Sequence, residues 1–158
     1  MSRLIKFVVV VFLISPTLFA KGSVSPTTPR KFDEFGDLNC EDEMARLDNF
    51  ALALQQVPDA KGVIIFYGGK TFRGRLPRRG DAVARAARIK PYLVMRRGML
   101  SSRIVVINGG YLEHWRVEFW ILPQEISTVD FKPTLTVSAD QIRFRKGRAS
   151  PRAYRCRV

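Results

Sequence analysis

Between Lys70 and Arg103 eleven basic residues stand against one acid, Asp81. Guanidinium groups at this density can bind anions, because each planar fork offers two hydrogen bonds to one carboxylate or phosphate. Little else in the chain can do chemistry. His114 is the only histidine; beside Trp115 near a hairpin, it reads as a surface residue rather than a catalytic base. No second histidine or cysteine pair has metal-ligand spacing. A serine hydrolase would need an oriented base that the chain hardly provides. Gly68 and Gly69 precede Lys70 without the G-x-x-x-x-G-K-[ST] pattern of a phosphate loop. The sequence predicts a binding protein rather than an enzyme, with no cofactor and no metal.

The elements that must position these bases follow from hydrophobic period and turn signals. Phe32-Asp33-Glu34-Phe35 alternates as a half-buried strand does. Asn39 can cap a helix whose first turn carries Glu41, Asp42 and Glu43, and Met44, Leu47, Ala51 and Leu54 give it an apolar stripe. The eight acids of residues 31–60 are thereby placed mostly at this helix start and on its wet face. Val63 to Phe66 is apolar on consecutive residues, a strand covered on both faces, ended by Gly68-Gly69. Lys70 to Gly80 reads as an exposed loop. A second helix starts near Asp81 as N-cap, buries Ala82, Ala86, Ile89 and Leu93, leaves Arg85 and Arg88 off that stripe, kinks at Pro91 one turn before its end and stops at Gly98. Arg103–Ile107 is a strand, Asn108-Gly109-Gly110 a turn signal, and Trp115–Leu122 a strand with Val117, Phe119 and Ile121 on one face. The order β-α-β-α-β-β predicts an α+β two-layer sandwich, a mixed sheet with two helices on one face. Beyond Gln124, Thr134–Val137 and Gln141–Phe144 are candidate short strands.

Arg85, Ala86, Ile89 and Leu93 are spaced R-A-x-x-I-x-x-x-L after a strand that ends in glycine. With Phe32-Asp33, Leu47-Asp48 and the run Arg116-Val117-Glu118, this resembles the peptidoglycan-associating OmpA-like domain over residues 32–122. That resemblance implies the α+β fold, an envelope location and, as ligand, the diaminopimelate group of the wall stem peptide, held by a helix arginine and a strand-end aspartate. Arg85 falls on the arginine. Lys70 falls where the family has the aspartate, and Arg78 and Asp81 fall among the polar positions before the R-A pair. The candidate ligand-binding residues are therefore Arg85, Lys70, Gly68, Gly69, Arg78 and Asp81. With lysine in place of aspartate, carboxylate-rich or phosphate-bearing polymers are expected over a zwitterion. Asp81 either replaces the lost acid or simply caps its helix.

The ends set the compartment. Arg3 and Lys6, the apolar run Phe7–Ile14, Pro16 and the small residues after it follow the order of a secretory signal peptide, with the uncleaved anchor as alternative; the run is short for a bilayer span. The reading is residues 1–22 signal peptide, 23–31 flexible spacer, 32–122 OmpA-like domain and 123–158 basic C-terminal extension. The mature chain then has no transmembrane segment and is periplasmic or secreted. Cys40 and Cys156 are the only cysteines. An exported chain with an even count suggests a disulfide, the alternative being two unrelated small side chains.

The net charge of +13 favours anionic partners, against the plain reading of a solvated face. The expected function is non-enzymatic binding of peptidoglycan or another anionic envelope polymer. The alternatives are a degenerate OmpA-like scaffold for protein–protein contact, and a polyanion binder working by charge alone. Arginines interleaved with Phe72 and Tyr111 make nucleic-acid binding conceivable, but export argues against it.

Overall fold

The computed structural model describes residues 27–154 apart from Asp130 and Lys132. The signal segment and Cys156 lie outside the described residues. The elements are β1 (Arg30–Phe35), α1 (Cys40–Gln55), β2 (Lys61–Gly69), α2 (Asp81–Ala86), α3 (Ile89–Arg97), β3 (Ile104–Leu112) and β4 (Arg116–Leu122). They form an α+β fold around one mixed sheet of order β1-β4-β2-β3. β4 runs antiparallel to β1 and to β2, and β2 runs parallel to β3. Among the described residues no helix is long and apolar enough to cross a membrane.

α1 forms as its residues predict. The Asn39 side chain accepts a hydrogen bond from the Asp42 amide at 2.8 Å, satisfying one orphan donor of the first turn. Leu47, Phe50, Ala51 and Leu54 are buried against Ile64, Phe66, Val117, Phe119 and Ile121 of the sheet. The expected second helix is two short ones. Pro91 has no N–H for the carbonyl of Ala87 and its ring crowds that carbonyl. The break accordingly falls at Ala87–Arg88, upstream of the expected kink. Gly98 closes α3 in the left-handed conformation, φ 64°. Asp81 is not the N-cap of α2: Gly80 holds that place with φ 81° and no side-chain cap. The Asp81 carboxylate is instead drawn to other partners, described below.

Asn108-Gly109-Gly110 is not a turn. β3 runs through it with a register shift opposite Phe66 and Tyr67, and the Tyr67 ring lies where a Cβ on Gly109 would project. The reversal comes later, at residues 113–115. Thr134–Val137 and Gln141–Phe144 are not strands either. A single bridge joins Val137 to Tyr111, and a 3-10 turn at Ala139–Gln141 redirects the chain.

Val63, Ile65, Tyr67 and Leu122 form a second apolar cluster on the face away from the helices, covered by Ile126 and Phe131. The extension after β4 is thus part of the core, which explains why β2 is apolar on both faces. It also buries Glu118 completely. Glu118 Oε1 accepts from Lys31 Nζ (3.2 Å) and Thr134 Oγ1 (2.9 Å); Oε2 accepts from Trp120 Nε1 (3.0 Å) and Tyr67 Oη (3.3 Å). Burial alone would raise the Glu118 pKa; these hydrogen bonds and the Lys31 charge outweigh it and hold the group below its usual 4.5. A carboxylate depressed in the folded state contributes stability above its unfolded pKa and loses it as pH falls through the folded value. Glu118→Gln is therefore expected to destabilise at neutral pH, with the gap to wild type narrowing below pH 4.5. Urea melts across pH 7 to 2 check this. A gap that stays constant would remove the Glu118 charge from the account.

Candidate functional site

The strand-end region that carries the sequence-predicted residues is built by five segments. Arg85 leaves α2, Asp37 the β1–α1 loop and Glu43 the first turn of α1. Phe72 belongs to a two-residue hairpin in which the Phe72 and Arg75 amides each donate to the other's carbonyl, at 2.7 and 3.0 Å. Trp115 lies directly before β4. Arg73 at φ 49° and Gly74 at φ 69° give that hairpin the left-handed pair its twist demands, so the expected loop is ordered at its tip. Arg73 Nε donates to Asp37 Oδ2 at 2.5 Å.

Arg85 does not face solvent. It is 3 % exposed, although its position is off the apolar stripe. Its Nη1 donates to Asp37 Oδ1 at 2.5 Å, and its Nη2 lies 3.5 Å from Glu43 Oε2. The guanidinium carbon is 4.6 Å from the Trp115 ring centroid and 5.3 Å from that of Phe72. Arg88 Nη2 also donates to Glu43 Oε2. Burial by itself would raise the Asp37 pKa; the hydrogen bonds from Arg73 and Arg85 and their charges overcome it and hold the carboxyl below its ordinary value. Glu43 is not on the wet face of α1 but 1 % exposed. It precedes Leu47 by four residues and so continues the buried stripe. That spacing was the one sequence signal for a buried acid.

Asp81, 4 % exposed, accepts from the Arg78 amide through Oδ2 at 2.6 Å and from Tyr154 Oη through Oδ1 at 2.6 Å. Tyr154 comes from the C-terminal extension. Its ring meets Phe72 edge-on at 6.2 Å and lies 5.9 Å from the Arg85 guanidinium, and its carbonyl accepts from Arg88 Nη1. Burial, with the hydrogen bond to Asp81 acting in the same sense, pushes the phenol up to about 12. A tail residue thus contacts both Asp81 and Arg85. Sequence reading gave no sign of it.

The other predicted residues lie near but act separately. Lys70 Nζ pairs with Glu113 Oε1 at 2.6 Å in a half-exposed contact. A Cβ on Gly69 would stand 2.6 Å from the Trp115 amide, and one on Gly68 would stand 2.6 Å from the Tyr111 ring. These two glycines serve close packing of the β2 end. Lys70 and Arg85 each have acids of their own, so they do not form a joint pair of free cations. His114 is exposed in the β3–β4 turn, and among the described residues no cluster of three metal-ligating side chains occurs.

Charge without a counter-charge lies elsewhere. Ion pairs of the described residues take up Arg46, Arg73, Arg85, Arg88 and Arg97 among the arginines outside β4. Among the described residues Arg75, Arg79, Arg145, Lys146 and Arg148 have no ion-pair partner. Arg79, Arg145, Lys146 and Arg148 line one niche of 550 Å³ where the hairpin loop meets the tail. A wider groove of 810 Å³ runs between α1 and α3 over Met44, Ala45 and Tyr92. There Asp48 pairs with Arg97 and Glu43 with Arg88, so most of its charge is already spent. Compared with protein-family models, with curated proteins and with solved structures, the chain matches none.

Proposed function

We propose that this is a non-enzymatic, OmpA-like envelope domain, periplasmic or secreted, that binds peptidoglycan or another anionic envelope polymer. The observation that carries the reading is the division of labour among the bases. Arg85, Arg73 and Arg88 are consumed internally by Asp37 and Glu43, whereas Arg79, Lys146 and Arg148 are exposed and meet Arg145 around one niche that no acid among the described residues lines. A surface that concentrates like charge without acids attracts polyanions and costs self-repulsion. The four-stranded mixed sheet with helices on one face supports the OmpA-like resemblance without being specific to it. Arg85 is then a structural residue, and contact with the polymer belongs to exposed arginines and lysines.

A second reading is a degenerate scaffold that serves protein–protein contact without binding the wall. It is favoured by the burial of Arg85, whose guanidinium is engaged by Asp37 and Glu43 and packed among Trp115, Phe72 and Tyr154. Co-sedimentation with purified sacculi across a salt series separates the two. Binding at low ionic strength that falls steeply as the screening length shrinks from ~10 Å at 0.1 M to ~3 Å at 1 M is expected. Binding that ignores salt would return the contact to a specific pocket, and no binding at low salt would leave the scaffold reading.

A further inference from the structure

We infer that the niche between Gly80 and Gly147 is a phosphate-binding site for a polyanionic chain, completed by the C-terminal extension. The assignment rests on the anion-binding reading above and narrows it to one place and one chemistry. Two segments remote in sequence are tied there by backbone. The Arg145 amide donates to the Pro77 carbonyl at 3.0 Å, the Ala149 amide donates to the Arg79 carbonyl at 2.9 Å, and Arg79 bridges Arg148 in parallel register. The tail turns at Gly147, φ 90°, and the turn brings Arg145, Lys146 and Arg148 to Arg79.

The Arg79 guanidinium lies 4.6 Å from the Phe144 ring centroid, and Phe144 meets Tyr111 edge-on at 5.6 Å. This stacking fixes the side chain's place while leaving its charge uncancelled. Asp81, next to Gly80, is buried, with both oxygens engaged by Tyr154 and Arg78, so it faces inward. Among the residues that line the niche, the buried Nε of Arg145 has no acceptor, and an unpaired buried donor is costly. Four cations arriving from two segments suit a tetrahedral group that presents oxygens in several directions. A carboxylate has two oxygens in one plane and is served by a single fork. The niche, at 550 Å³, is roomier than one phosphate requires and suits a repeating chain. At Gly80 and Gly147, which border the niche, no atom beyond the chain neighbours lies within 4 Å of where a Cβ would stand, so both positions face open space.

The test is direct titration of the full processed chain with poly(glycerol phosphate) and with poly(glutamic acid) of matched charge, at fixed salt. Wild type is expected to bind the phosphate polymer at least tenfold more tightly. Arg79→Gln with Arg148→Gln, two exposed side chains, is expected to weaken that binding about tenfold to a hundredfold, the usual effect of losing hydrogen bonds to charged groups. Lys146→Gln alone is expected to lose less, in the same direction. Lys90→Gln with Arg96→Gln, on α3, removes the same charge elsewhere and is expected to change binding less than about twofold, the scale of distributed surface charge. Equal affinity for poly(glutamic acid) would overturn the phosphate assignment. Equal losses in the two double variants would overturn the site and leave a general charge effect. Binding of neither polymer, with no co-sedimentation with sacculi, would overturn the broader reading as well.

Discussion

Replacing Arg85 by alanine is expected to cost about 3–5 kcal/mol of folding stability, the range for removing one partner of a buried ion pair. The change leaves Glu43, 1 % exposed, with Arg88 alone, although its Oε1 already lacks a partner. It leaves Asp37 with the exposed Arg73 only. It also empties the space over Trp115 and Phe72. Against a total of ~5–15 kcal/mol for an ordinary domain, such a loss is large. Arg85→Lys is expected to recover only part of it. One ammonium cannot donate to Asp37 and Glu43 with fork geometry, and it loses the flat stacking on the indole. Urea unfolding of the single variants, with a double-mutant cycle of Arg85→Ala and Glu43→Gln, measures this. A coupling energy well above ~0.5 kcal/mol is expected for residues in one network. Arg85→Ala that stays within about 1 kcal/mol of wild type yet weakens sacculus binding would sink the structural role and make Arg85 a ligand contact after all.

What the sequence disclosed and what it hid divide along a physical line. Periodicity reports which positions are apolar, so α1, β2, β4 and the α+β order were readable from Leu47, Phe50, Leu54, Val63–Phe66 and Val117–Ile121. Turn chemistry was readable where the residue type forces the backbone, as at Asn39 and Gly98. Asn108-Gly109-Gly110 misled because the same glycines serve a bulge under Tyr67. Buried charge was hidden, because a single-sequence pattern assigns every Arg and Glu to water. Arg85, Glu43 and Glu118 are buried only because each has partners, and among them are residues far off in the chain: Asp37 lies 48 residues from Arg85, Arg85 lies 42 from Glu43, and Lys31 lies 87 from Glu118. The role of the extension was hidden for the same reason. Its contacts are pairings of single residues, Tyr154 with Asp81 and Ala149 with Arg79, which leave no period to read.

Oxidised protein is expected to carry a Cys40–Cys156 disulfide, a pairing that falls outside the described residues because Cys156 does. The described residues supply the motive. Arg88 Nη1 lies 3.8 Å from Cys40 Sγ and donates to the carbonyl of Tyr154, two residues before Cys156. Two residues of chain reach about 7 Å, and a disulfide requires its Cα atoms within ~7 Å, so the tail is anchored at a suitable distance. Closing so long a loop contributes roughly 4–5 kcal/mol in the chain-entropy account. Cys156→Ser is therefore expected to lower the unfolding free energy by up to that amount. It is also expected to free the end of the tail locally, since beyond the Ala149–Arg79 backbone bond only the contacts of Tyr154 with Asp81, Arg88 and Phe72 would then tie it to the domain. A tyrosine whose pKa is raised in the folded state contributes stability below its unfolded value of ~10 and loses it as pH rises through the folded value. The tail of the serine variant should accordingly detach between pH 10 and 12, where the cross-linked protein holds on. Non-reducing peptide mapping shows whether the bond exists, and limited proteolysis after Arg148 or Arg152 across that pH range shows whether the tail is released. Two free thiols in protein isolated from the envelope would end the proposal, and so would identical proteolysis of wild type and Cys156→Ser at every pH.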